Sequence, residues 1–321
     1  MRRSIAASDS KRSSNIPSPR LGHARRLFGN EYKSKRFGDV WRISITYGLL
    51  MLISGITILP VFWAFATSLK TFKEVVAFPP VLWPPKPRWE NYIPVFIDWD
   101  IFLYMRNSFI IAFGGAVGGV VGSSLTAYAF AKLRCPVRDI LFILILSTMM
   151  LPAFVTLIPV YITWYHLGLI NTFGPFLIPP WLGGGAWNIF LLRQFFKTIP
   201  DDLLDAARVD GASELRVFTQ VVVPLAKPAL ATIFLFMFMG GWNNFFGPYI
   251  YLTSRKVWPL TLALITLKDE ISGTLPPGIV GSMTQNIIMA ASLIMSVPLL
   301  VLFLFTQRSF TEGIVITGMK G

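Results

Sequence analysis

Apolar residues fill this chain in blocks too long to be the one-sided stripe of a surface helix or the alternation of a strand. Stretches free of Asp, Glu, Lys and Arg cover 43–69, 107–131, 140–192, 228–254 and 271–307. A helix needs ~20 mostly apolar residues to cross a bilayer. Four of these stretches therefore hold one span each. The 53 residues of 140–192 hold two, because "YHLGLINT" (165–172) places a polar connector with Gly168 and Asn171 midway. The pattern predicts six transmembrane helices, near 43–66, 107–131, 140–164, 173–194, 228–251 and 284–306, and so an all-α polytopic membrane protein.

Composition agrees. Of 321 residues, 54% are hydrophobic and 14% charged, where a soluble chain carries about a quarter. The net charge of +13 would suit nucleic-acid binding in a soluble protein. In a chain this apolar the positive-inside bias explains it better. With the N-terminus inside, the cytosolic segments 1–42, 132–139, 193–227 and 307–321 carry 21 of the 29 basic residues, which predicts both termini in the cytosol. Residues 1–42 hold eleven basic and three acidic residues and no apolar core. They read as a basic, disordered cytosolic arm preceding a membrane domain over 43–321, and not as a secretory signal. The lone cysteine, Cys135, and two histidines, His23 and His166, are too few for a disulfide or a Cys/His metal site. Pro152, Pro159, Pro179, Pro180 and Pro298 fall within expected spans, as do the glycines of "GGAVGG" (114–119). A helix bundle tolerates such residues, and the glycines allow close helix approach.

One charged island interrupts the second half. "IPDDLLDAARVDGASELRVFTQVVVPLAKP" (199–228) falls in the loop 195–227 between spans four and five, on the cytosolic side. Pro200, Asp201 and Asp202 suit the start of a helix. Gly211 suits its end, where a left-handed residue would cost any other side chain ~1–2 kcal/mol. Ser213 is a good N-cap for a second short helix, with Leu215, Phe218, Thr219 and Val222 on one face. Pro224 and Pro228 lead into span five. Ala206 and Ala207 keep the first helix slim, so another surface can approach its backbone and meet Asp205 and Asp210. Local physics leaves two readings open: a docking element for a soluble partner, or an amphipathic connector on the bilayer.

The residues themselves resemble a known motif. Asp205-Ala206-Ala207, Gly211, then nine residues, Val221, Val223 and Pro224 are similar to the EAA motif of ABC-importer permeases, E-A-A-x-x-x-G-x(9)-I-x-L-P, with Asp for Glu and Val for Ile and Leu. "ENY" (90–92), "RNSFI" (106–110), "AYAFAKLRCP" (127–136), "LGLINT" (167–172), "FLLRQFF" (190–196), "WNNF" (242–245) and the tail "QRSFTEG…GMKG" resemble sugar-import permeases of the maltose permease G-subunit type. The likeness runs from span one to the end. It implies a type I ABC-importer permease fold, multi-pass in a bacterial or archaeal cytoplasmic membrane, paired with a homologous second permease, two ATPase subunits and an extracytoplasmic solute-binding protein. It also implies that Asp205, Ala206, Ala207, Asp210, Gly211, Ala212 and Pro224 couple to the ATPase. ATP and Mg would be bound by that partner. This chain has no G-x-x-x-x-G-K-[ST] motif and no enzymatic role is expected of it.

Solute contact is less legible. Trp242, Asn243 and Asn244 in span five, and Gln285 and Asn286 at the start of span six, offer groups that suit sugar hydroxyls and rings. They equally suit interhelical packing. The outer loop 252–283 is long for a simple turn, with an apolar piece "VWPLTLALITL" (257–267) and a Gly/Pro-rich piece "SGTLPPGIVG" (272–281). It either packs on the bundle or reaches a docked binding protein, as the resemblance implies. An ion-coupled transporter or an intramembrane enzyme would need charges or a nucleophile–base pair within the spans, and neither pattern stands out. A permease for a non-sugar solute is the nearest alternative.

Overall fold

A computed structural model describes residues 21–97, 99–269 and 285–318, with side chains over 41–97, 99–266, 285–305 and at 307. The first 20 residues of the basic arm and the whole of "SGTLPPGIVG" lie outside it. Among the described residues every regular element is helical. Two compact units are present, residues 1–62 and 63–321.

Helix α1 runs Leu21–Ser68, so it begins inside the arm expected to be disordered. No proline falls between Pro19 and Pro60 to stop it. A short α2 (Phe72–Val75), a 3₁₀ turn (Trp89–Tyr92) and α3 (Ile93–Ile97) lead to α4 (Ile101–Lys132). Then come α5 (Arg138–Ser147), α6 (Ala153–His166), α7 (Gly174–Trp181), α8 (Ala186–Lys197) and α9 (Asp201–Val209). The island continues with α10 (Glu214–Val217), a π-helical turn (Phe218–Val222) and α11 (Val223–Leu225). Last are α12 (Lys227–Trp242), α13 (Phe246–Tyr251), α14 (Leu260–Asp269) and α15 (Gln285–Gly318).

Among the described residues, three stretches are single helices long and apolar enough to cross a membrane: Trp41–Ser68, Ile101–Lys132 and Gln285–Phe305. Two more qualify only as bent pairs. Arg138–Met150 and Ala153–His166 meet at 101°, and Glu214–Leu225 and Lys227–Trp242 at 82°. The first break falls at Pro152 and the second at Ala226, between Pro224 and Pro228, where missing N–H groups interrupt the helical ladder. The expected fourth span falls on α7 and α8, separated by Gly183, Gly184 and Gly185, all with positive φ. The connector 165–172 is a connector, as read from the sequence. Its Asn171 takes a left-handed conformation (φ 61) and accepts from the N–H groups of Thr253 and Ser254 at 3.0 and 2.9 Å.

Helix α4 is the centre of the second unit and packs on α12, α8 and α7. Its glycines make this possible. A side chain on Gly118 would meet the Trp181 ring, and one on Gly122 the Pro180 carbonyl at 2.7 Å. Among the described residues two buried clusters result. One joins α3, α4, α12, α14 and α15 around Trp99, Tyr104, Phe238 and Trp242. The other joins the far end of α4 to α5, α8 and the island around Tyr128, Leu192, Phe196, Leu204 and Phe218.

The motif residues near α4 secure irregular backbone. Asn91 donates to the carbonyls of Ser68 and Lys70 at 2.7 and 2.9 Å. Asn107 donates to those of Lys256 and Trp258 at 2.9 and 3.0 Å, and the Ser108 hydroxyl accepts from Leu260 N–H at 2.7 Å. Helix α14 is therefore packed into the bundle, with Leu260, Leu262 and Ala263 buried.

Candidate coupling site and solute path

The island is built on one joint. Pro200 occupies the N-cap position of α9, and Asp201 and Asp202 fill its first turn. Gly211 ends the helix at φ +83. Its N–H donates to Arg208 O, and the Ala212 N–H donates to Ala207 O, both at 3.0 Å. That pair of bonds is a Schellman motif, which requires a left-handed residue and hence glycine. Nothing lies within 4 Å of a side chain built on Gly211, so the constraint there is conformational and not steric.

The island is not held wholly in water. Leu204 is fully buried, and Val217, Phe218 and Val222 sink into the same cluster. Burying one such side chain stabilises the arrangement by ~1.5–3 kcal/mol. The face expected for the second helix is corrected accordingly: Leu215 and Thr219 are exposed. The π-helical turn at 218–222 adds a residue to that turn and rotates the buried face to Val217, Phe218 and Val222. Ser213 stands at the N-cap but makes no side-chain cap bond. Pro224 lies within a continuous helical run ending at Leu225, and the chain breaks at Ala226 instead.

The two alanines divide. Ala206 is exposed, whereas Ala207 and Ala212 are half-buried against the core. Asp210 is exposed. Asp205 is already engaged, since Arg208 Nη1 reaches its carboxylate at 2.7 Å. Outward on the island stand Leu203, Val209 and Leu215, with Val209 86% exposed.

Ionic contacts tie the island to α4. Lys132 Nζ donates to Asp201 Oδ1 and to the Ile199 carbonyl, each at 2.6 Å, and this bond holds the Asp201 carboxyl below the usual carboxylate range. Arg208 Nε reaches Glu214 Oε1 at 2.8 Å, and the Tyr128 hydroxyl donates to Glu214 Oε2 at 2.6 Å. Hydrogen bonds from Arg208 first to Glu214 and then to Asp205 push the guanidinium pKa up. The sequence reading missed Tyr128, Lys132, Arg208 and Glu214. An alternating run of charges between two apolar stretches gave no sign that a tyrosine 86 positions away closes it.

The candidate solute residues do not gather into one site. Trp242 is buried at 1% exposure and stacked on Phe238. Its indole donates to the Met295 carbonyl at 3.2 Å and its own carbonyl accepts from Thr261. Asn286 is buried and donates to Lys70 O at 3.0 Å. Trp242 thus has its single donor satisfied inside the bundle, and Asn286 ties the start of α15 to the Lys70 backbone. Asn243 and Gln285 are exposed. Asn244 alone of the five lines a cleft of about 310 Å³ between α4, α7 and α12, with Ile111, Gly115, Pro175, Phe176, Pro179, Pro180, Met237, Gly240 and Gly241. Among the described residues no cluster of His, Cys, Asp or Glu could hold a metal.

Among the described residues, an all-helical bundle with broken apolar helices and a partly exposed, glycine-jointed island is the architecture of a membrane permease. Residues 118–315 match the binding-protein-dependent transport system inner membrane component family. The chain belongs to that family, and is a permease subunit of an ABC importer. It is 35% identical over 273 residues to the sn-glycerol-3-phosphate transport system permease protein UgpE of Salmonella typhi, covering 83% of this chain and 94% of that one. To UgpE of Escherichia coli O1:K1 / APEC it is 32% identical over 284 residues, covering 86% and 96%. A chain of a bacterial ABC transporter involved in the import of the acidic polysaccharide alginate superposes with a TM-score of 0.73 at 25% identity, over 91% of this chain and 99% of that one. The fold also matches a chain of a bacterial alginate ABC transporter in complex with an alginate pentasaccharide-bound periplasmic protein, at a TM-score of 0.50 and 15% identity.

Proposed function

We propose that this chain is one of two homologous permease subunits of an ATP-driven importer for carbohydrate: a sugar, oligosaccharide or polyol. It spans the cytoplasmic membrane six times over residues 43–321 with both termini in the cytosol. Spans three to five are built from broken helices. The arm 1–42 stays on the cytosolic side. An extracytoplasmic solute-binding protein delivers the solute, and two partner ATPase subunits bind ATP and Mg.

The observation that carries the coupling role is α9 itself. It is short, presents Ala206 outward, is anchored behind by buried Leu204, and ends on a left-handed Gly211. Such a helix enters a groove on a soluble subunit without side-chain obstruction and passes a push to the bundle. Transport requires the ATPase states to interact differently with two permease conformations. Asp205, Ala206, Asp210 and Gly211 lie on or beside that contact, while Ala207, Ala212 and Pro224 hold its shape. Ala206→Trp should abolish uptake and co-purification of the ATPase while membrane insertion persists. Normal uptake in that variant would remove the assignment.

For the solute, the relatives are named for glycerol phosphate and alginate, both polyhydroxylated. Asn244 and the Phe176 ring give the cleft one amide and one aromatic face for such a solute. A panel of sugars, polyols, amino acids and peptides tested on the importer's own solute-binding protein decides the class. Binding of amino acids or peptides alone would favour the non-sugar alternative.

A further inference from the structure

One carboxylate gathers three elements. Glu214, at the start of α10, accepts from the Tyr128 hydroxyl of α4 at 2.6 Å, from Arg208 Nε of α9 at 2.8 Å and from Arg208 Nη2 at 3.3 Å. Arg208 and Glu214 stand on opposite sides of the Gly211 joint. Their pairing therefore closes the glycine joint, where α9 could otherwise turn on α10 without moving the bundle. Tyr128 stands on the bundle side of the same carboxylate. It is 4% exposed, and its ring lies 5.2 Å from that of Phe218, so its hydroxyl has little freedom to follow Glu214 alone. Bonds to an ionised acceptor are short and about twice as strong as neutral ones. Tyr128 also sits on the helix that packs against α7, α8 and α12. Any displacement of Glu214 is thereby a displacement of the helix on which the bundle is assembled.

We propose that Glu214 is the node through which the island drives α4, with Arg208 and Tyr128 as positioning residues. The proposal rests on reading the island as the ATPase-coupling element. Arg208 locks α9 to α10 across the glycine, so that a push on α9 reaches Glu214 instead of being absorbed by the joint. Tyr128 hands it to α4. The Lys132–Asp201 contact is a second tether, but it joins only the start of α9 to α4 and Asp201 is 75% exposed, so it does not span the joint.

The chain carries its own reporter. Cys135 is exposed and follows α4 by three residues. The assembled importer, with cysteines in the other subunits replaced, would be labelled at Cys135 with an environment-sensitive maleimide and treated with ATP and vanadate. The unaltered chain should give an ATP-dependent signal change. In Tyr128→Phe, which keeps the ring, and in Glu214→Gln, the ATPase subunits should still co-purify and hydrolyse ATP. The nucleotide dependence of the signal, read as the ATP concentration for half response, should shift about tenfold, equivalent to about 1.4 kcal/mol. The double variant should be no worse than Glu214→Gln, because both remove one link. Unaltered responses in both single variants, additive effects in the double, or loss of the ATPase from Tyr128→Phe would each overturn the proposal. Ala206→Trp separates the two levels. If it keeps the ATPase and the full signal, the coupling reading itself fails. If it loses both while the Glu214 and Tyr128 variants respond normally, only the node fails.

Discussion

Gly184 tests whether α4 is truly pressed against the break between α7 and α8. Its φ is +73, and a Cβ there would lie 2.6 Å from the Ser123 backbone nitrogen and closer still to the Gly119 carbonyl oxygen. Two costs therefore add in Gly184→Ala. The left-handed conformation costs an L-residue ~1–2 kcal/mol. Forcing a methyl into a filled contact costs a further ~1–3 kcal/mol, and here the opposing atoms are backbone, which no rotamer change can withdraw. The total is about 2–5 kcal/mol. Two other glycines isolate each part. Gly168 has φ +68 with nothing within 4 Å, so Gly168→Ala carries the conformational cost alone. Gly122 lies in regular helix and would meet Pro180 O at 2.7 Å and Gly183 N at 3.0 Å, so Gly122→Ala carries the steric cost alone. Each variant would be solubilised in detergent and heated at one fixed rate, since such loss is commonly irreversible. The fraction still eluting as a single species is then measured. Gly184→Ala should lose more than either of the others. If it proved no less stable than Gly168→Ala, the close contact between α4 and the glycine break would be refuted.

A membrane-impermeant maleimide should label Cys135 from the cytosolic face of inverted vesicles and not from outside spheroplasts; labelling from outside would reverse the proposed orientation. Ala206→Trp and Ala207→Trp should differ. The first leaves the permease folded and loses the ATPase, while the second overpacks the chain's own core by ~1–3 kcal/mol and lowers its amount in the membrane; equal amounts of the two folded permeases would contradict the half-buried position of Ala207. Asn107 is fully buried and donates to two loop carbonyls, so Asn107→Leu should cost ~1–3 kcal/mol for the acceptors left unpaired, read as a lowered melting temperature. Asn107→Asp should be worse than Asn107→Leu, because an ionised carboxylate has no donor for those carbonyls, and a melting temperature equal to the unaltered chain's would remove the anchoring role.

Charge-free stretches by themselves located the long apolar helices, because the bilayer requirement is one of length and composition and needs no partner. The same is true of the glycine joint: four residues after Ala207, only a left-handed cap ends α9 as it ends, and Gly211 meets that demand locally. The family was legible for a related reason, since short motifs around a joint and a helix end are read in order along the chain. What tertiary structure decided was which side of each element faces inward. Trp242 and Asn286 carry the groups a sugar site would want, yet both are buried, and each donates to a backbone carbonyl of its own chain, those of Met295 and Lys70. Ala206 and Ala207 are chemically identical neighbours, and only packing against the second core cluster assigns one to the outside and the other to the inside. The breaks at Pro152, at Gly183 to Gly185 and at Ala226 were signalled by Pro and Gly, but a proline in an apolar helix is compatible with a kink or a reversal. The 101° and 82° bends depend on how neighbouring helices receive the freed backbone groups. Glu214 is the extreme case: its partners Tyr128 and Arg208 lie 86 and 6 positions away, and a carboxylate's choice of donors is made by distance in space, which no linear pattern records.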